Sequence, residues 1–139
     1  MLMLAVCRTF IGLVPDEDIG SAFEGLGHEV QALYVCASAL FNANIGRINT
    51  LASGERLPTM TSFREYVELG GFMSYGANNT ALFRHTGETV DKILRGAKPA
   101  DLPVEQPTVF ELVINLTTAK ALGLKIPESF LFRVDAVIE

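Results

Sequence analysis

Pro58-Thr59-Met60-Thr61-Ser62-Phe63-Arg64-Glu65-Tyr66-Val67-Glu68-Leu69-Gly70-Gly71-Phe72-Met73-Ser74-Tyr75-Gly76 is the stretch whose reading decides the fold. It opens on strand formers, passes through a short polar segment of helical character, turns at Gly70-Gly71, and runs into a second strand that stops at Gly76. Two reversals so close together bring several polar side chains to one edge of a sheet. That edge, outside the carboxyl ends of the strands, is where open α/β sheets hold their ligands.

On the amino-terminal side, residues 32–36 form a short apolar run that reads as a buried parallel strand. Residues 37–39 follow as a loop. Phe41, Ile45, Ile48 and Ala52 then mark the inner face of one helix, with Asn42, Asn44, Arg47 and Asn49 on its outer face and Gly54 as its stop. Further upstream, residues 2–14 read as a buried first strand. Asp16 caps a helix carrying Ile19, Phe23, Leu26 and Val30 at helical spacing. On the carboxyl side, Asn78 or Asn79 caps a long helix whose Leu82, Phe83, Val90, Ile93 and Leu94 face inward, and Gly96 ends it. Residues 96–108 carry Pro99, Pro103 and Pro107 and read as an extended arm. Residues 109–114 form a further strand, Asn115 caps a compact helix closed by Gly123, and residues 125–139 supply a short helix or turn and a last strand.

Strands alternating with helices predict an α/β fold, an open parallel sheet flanked by helices. The expected organisation is an α/β lobe over residues 1–95, a proline-rich crossing arm over 96–108, and a segment over 109–139 that completes the fold or exchanges into another copy. A chain of 139 residues suits one domain. A net charge of −5 with no Lys/Arg cluster argues against a nucleic-acid partner. Cys7 and Cys36 lie in apolar runs and read as buried free thiols. The apolar amino terminus has no preceding Lys or Arg, is a poor signal peptide, and is too short to span a membrane.

Enzyme signatures are lacking: the sequence has no phosphate-binding loop, no nucleophile elbow and no glycine-rich dinucleotide turn. His28 and His85 have no companion ligands at metal-binding spacing, and His85 with Glu88 reads as a solvated pair. The expectation is a non-enzyme without metal or cofactor. The strand ends are more informative. Ser38, Ser62, Phe63, Arg64, Ser74, Tyr75 and Asn78 converge on one end of a parallel sheet. An arginine can clamp a carboxylate with two hydrogen bonds, and Phe and Tyr can flank an apolar group, so the set suits a small amino-acid-like or carboxylate ligand. The competing reading pairs Arg64 with Glu65 or Glu68 and places Phe63 and Tyr75 in the core.

Several runs also carry a family resemblance: Arg47-Ile48-Asn49-Thr50-Leu51-Ala52, Phe63-Arg64-Glu65-Tyr66-Val67-Glu68, Gly70-Gly71-Phe72-Met73-Ser74-Tyr75-Gly76 and, above all, Gly96-Ala97-Lys98-Pro99-Ala100-Asp101-Leu102-Pro103-Val104-Glu105-Gln106-Pro107. From about residue 17 onward the chain resembles the carboxyl-terminal half of ABC-transporter substrate-binding proteins related to the tryptophan/tyrosine-binding lipoproteins. The resemblance implies one lobe of a type I periplasmic-binding-protein fold, an amino-acid ligand, an ABC permease as partner and a periplasmic location. Cytoplasmic placement stays open because of the weak amino-terminal signal. Where relatives carry Asp in the loop after the Tyr34 strand, this chain has Ser38, so the implied ammonium partner is missing there. The family also implies an amino-terminal lobe ahead of this region. Without it, the strand over 109–114 and the apolar tail would expose an edge, and a homodimer is expected. A non-transporting remnant and an intracellular ligand-sensing module that dimerises are the alternatives.

Overall fold

The computed structural model describes residues 19–26 and 30–139. The expected first strand over residues 2–14, the Asp16 cap, Cys7 and His28 lie outside the described residues. The elements in order are α1 (Ile19–Glu24), β1 (Leu33–Val35), α2 (Ala39–Ala43), α3 (Ile45–Gly54), β2 (Thr59–Thr61), α4 (Arg64–Glu68), β3 (Met73–Ala77), α5 (Asn79–Leu94), β4 (Phe110–Asn115), α6 (Leu116–Ala121), α7 (Glu128–Leu131) and β5 (Ala136–Ile138). The strands form one sheet in the order β1-β2-β3-β4-β5. This is the α/β sheet flanked by helices that the alternating pattern predicts.

Its strands do not all run in one direction. β1, β2 and β3 pair in parallel, β4 pairs with β3 antiparallel, and β5 is parallel to β4. The cause lies between β3 and β4. After α5 the arm turns once at Pro99–Asp101 and runs back beside the helix, where His85 Nε2 meets Glu105 Oε2 at 2.9 Å. The chain thus returns to the end of the sheet it left, and Asn78 N–H donates to Val109 O at 3.0 Å. β4 therefore starts beside the end of β3, with Ala77 opposite Phe110. β4 is also paired on both sides, so the edge expected over 109–114 is closed by β5.

The core gathers where α1, α3 and α4 cover one face of the sheet, around Ile19, Phe23, Val35, Ile48, Ala52, Leu57 and Tyr66. The helix expected to run through residues 41–52 is two helices meeting at Asn44, which is C-cap of α2 and N-cap of α3. Asn49, expected on the outer face, is buried. Its Nδ2 donates to Tyr66 O at 3.0 Å and to Leu69 O at 2.9 Å, carbonyls at the end of α4 that have no intrahelical partner. Asn115 performs a similar task from the other side: Nδ2 donates to Val67 O at 3.2 Å while Oδ1 accepts from Thr118 N and caps α6. Tyr66 is buried and its hydroxyl donates to Asn42 Oδ1 at 3.1 Å; burial pushes its phenol above the ordinary value.

Two expectations fail at the periphery. Cys36 is exposed, lying just past the end of β1, which is the outermost strand among the described residues. The apolar stripe of α5, expected to face inward, is not buried at any residue. Among the described residues, no helix is long and apolar enough to cross a membrane.

Candidate functional site

The site is built where β2 and β3 end. The parallel register puts Thr61 opposite Ser74, so Ser62 lies one residue past the end of β2 and beside the backbone of β3. The approach is close: a Cβ on Gly76 would sit 1.9 Å from Ser62 O. Only glycine lets the two strand ends come together here. Arg64 begins α4 directly after Ser62 and Phe63. Asn78, just past β3, turns its Oδ1 to accept from Ala81 N at 2.7 Å and caps α5. Its Nδ2 donates to Glu111 Oε1 on β4.

These groups line a shallow concavity of ≈140 Å³ together with Glu65, Gly76, Ala77, Asn79, Thr80 and Val113. Ligand pockets that bury a small molecule run to roughly 300–1,000 Å³, so the concavity by itself is smaller than such a pocket. The charges are unevenly matched. Arg64 Nε donates to Glu68 Oε1 at 2.8 Å, and Nη1 lies 3.8 Å from Glu111 Oε2. The hydrogen bond to Glu68 chiefly holds its pKa above the ordinary value, with Glu111 and Glu65 adding to it, so the guanidinium is permanently charged. One cation thus stands among three carboxylates. The opening turn of α5 adds Asn79 and Thr80 at the positive end of a helix of 16 residues. A group with both charges fits this edge better than a lone anion.

Of the residues expected at the site, the structure brings Ser62, Arg64, Ser74 and Asn78 to the concavity. It places three elsewhere. Ser38 is the N-cap of α2, its Oγ accepting from Phe41 N at 3.1 Å. Phe63 stacks on Tyr66 with ring centroids 6.4 Å apart and packs against the core. Tyr75 alternates with Ser74 onto the opposite sheet face, where its ring stacks on Phe110 at 5.8 Å. The reading that paired Arg64 with Glu68 describes the observed contact. Glu111, Asn79 and Thr80 were not foreseen. Glu111 had a usable signal: it shares a strand face with Val113, and a carboxylate on an inward-facing row asks for a partner.

Among the described residues no three His, Cys, Asp or Glu side chains gather as metal ligands. The chain belongs to the family described as ABC transporter substrate binding protein, which it matches over residues 11–138. It is 25% identical over 114 residues to a tyrosine-binding protein of Clostridioides difficile (strain R20291), covering 82% of this chain and 33% of that one. Among solved structures it resembles an ABC domain in complex with L-Trp from Streptococcus pneumonia, at 30% identity and TM-score 0.80, covering 88% of this chain and 43% of that one. A conserved domain protein from Vibrio cholerae O1 biovar eltor gives 28% identity, TM-score 0.79 and coverages of 88% and 41%. The chain therefore spans about a third of the curated relative and about two fifths of the solved ones. Its fold corresponds to that share of a periplasmic-binding-protein architecture.

Proposed function

We propose that this chain forms the carboxyl-terminal, ligand-facing lobe of the solute-binding component of an ABC import system, and that its ligand is a small amino acid. The observation that carries the reading is the coincidence of the strand-end concavity with membership of the family, supported by the likeness to a domain holding L-Trp. In this reading the ligand carboxylate takes the Arg64 side of the wall, with Ser62, Ser74 and the first turn of α5 as hydrogen-bond donors. The ammonium faces Glu111, which supplies the negative partner that Ser38 does not. An ABC permease is the partner that would receive the ligand, and the location would be outside the cytoplasmic membrane.

The test is a thermal-shift screen against L-Trp, L-Tyr and the other amino acids, with decarboxylated and deaminated analogues beside each hit. Ligand at 100 times its dissociation constant stabilises by about 2.7 kcal/mol, a shift of several degrees for a domain of this size. Arg64→Ala and Glu111→Gln should each abolish the shift while leaving the unliganded midpoint within about two degrees. A screen in which no amino acid moves the midpoint overturns the reading for this lobe and favours the non-transporting one.

A further inference from the structure

Among the described residues, two apolar surfaces stand exposed, one a helix face and the other a sheet face. The first is the apolar stripe of α5. Leu82, Phe83, Val90, Ile93 and Leu94 fall on one side of the helix and Arg84, Glu88, Asp91 and Arg95 on the other. Phe83 is 75% exposed, Val90 48%, Ile93 37% and Leu94 81%. The arm does not cover them, for it lies on the His85 flank. The second is a face of the sheet. The pairing register sets Tyr34, Met60, Met73, Ile114 and Val137 in one row, with Tyr75, Leu112 and Phe110 on the same side. Ile114 is buried, whereas Tyr34 and Tyr75 are 53% exposed and Phe110 47%. The core helices α1, α3 and α4 cover the opposite face, that of Val35. A largely parallel sheet needs helices on both faces.

We propose that a second copy of this chain supplies the missing layer, α5 of each copy seating on the open Tyr34–Tyr75–Phe110 face of the other in a two-fold, reciprocal dimer. Area decides for this arrangement over a simple pairing of two α5 helices. With roughly 150–250 Å² for a wholly exposed large side chain, the stated exposures leave about 400 Å² on α5 and about 300 Å² on the sheet face. Two α5 stripes facing each other would bury about 800 Å² in all, the size of a lattice contact, whereas two reciprocal helix-on-sheet contacts reach about 1,400 Å², within the range of a standard stable interface. The same patch on both copies, helix to sheet and sheet to helix, is the isologous arrangement that closes at two. The inference is independent of the ligand, since the strand-end concavity does not include these side chains.

Sedimentation velocity of the wild-type chain at micromolar concentration should show a dimer. Phe83→Asp with Leu94→Asp, and separately Tyr75→Asp, should each raise the dimer dissociation constant at least a hundredfold with the far-ultraviolet circular dichroism unchanged. Mixing the two variants is the sharper measurement. Such a mixture retains one intact contact, wild-type α5 of the Tyr75 variant on the wild-type sheet face of the α5 variant. It should associate at least tenfold more tightly than either variant alone. A wild-type monomer, a dimer indifferent to both sets of substitutions, or a mixture no tighter than its parts overturns the proposal; the last two would place the copies' contact elsewhere or helix to helix.

Discussion

Helices α4 and α5 make an instructive pair. Both follow a strand and both end in the same way, with a glycine in the left-handed region, Gly70 or Gly96, whose neighbours reach back to the last turn. α4 has five residues and α5 sixteen. By propensity and length the longer helix should be the sturdier. Yet α4 buries Tyr66 and Val67 completely, and side chains from two distant elements hold its trailing carbonyls: Asn49 from α3, and Asn115 from the start of α6. Thr118 Oγ1 adds a bond to Gly70 O at 3.0 Å. α5 is bound to the body by its Asn78 cap at one end and by the arm along one flank. Tertiary contact, not helical length, decides which segment belongs to the folding unit.

The contrast can be broken first at its centre. Gly76→Ala should be the most damaging single substitution, because its Cβ would fall 1.9 Å from Ser62 O, a backbone atom that cannot rotate away. The expected loss is about 3 kcal/mol or more, read from urea unfolding, together with loss of any ligand response. A midpoint within error of wild type would show that β2 and β3 do not approach as described.

Next, the two helices can be set against each other by matched truncations. Asn49→Ala removes one hydrogen bond from each of the Tyr66 and Leu69 carbonyls, Tyr66 O keeping Gly71 N–H, and should cost about 1–2 kcal/mol. Phe83→Ala, a larger deletion, should cost less than about 0.5 kcal/mol in the monomer, since that residue is 75% exposed. Measured below the dimer dissociation constant, equal costs would erase the distinction. Hydrogen exchange should agree, with amides of α5 exchanging sooner than those of β3 and β4.

The last expected change is a gain. α3 ends as α4 and α5 do, with Arg56 N–H on Ser53 O and Leu57 N–H on Ala52 O, but Arg56 occupies the left-handed position at φ 55°. Arg56→Gly should relieve about 1 kcal/mol of backbone strain. Thermal unfolding should rise by several degrees, and a fall would show that the Arg56 side chain contributes more than its backbone costs.

Much of this architecture was legible beforehand. The strands at β2 and β3, the turn between them, the Asn78 and Asn115 caps and the helix stop at Gly123 all follow from local residue chemistry, which acts within a turn or two of chain. What escaped depends on partners distant in sequence. Asn49 reads as an outer residue because polarity marks it so; that two carbonyls 17 and 20 residues away require it is a property of α4's position. The stripe on α5 states that the helix wants a partner but not whether this chain supplies one. The direction of β4 depends on the arm doubling back, and proline spacing records only that the arm is extended. At the site, Ser62, Arg64, Ser74 and Asn78 follow one another along a single stretch and could be collected by counting. Glu111 arrives from across the sheet, and Tyr75 is lost to alternation along its own strand.

The bond between Asn78 N–H and Val109 O has a topological consequence. It shuts the base of everything from Asn79 to Thr108, so that segment is an insertion between two strands that are already neighbours. A two-residue hairpin turn would bridge the same gap and, with the shorter loop, lower the closure entropy by roughly 2 kcal/mol. The sheet is accordingly a socket, and what is plugged in there can be exchanged, enlarged or removed without rewriting the strands that hold it.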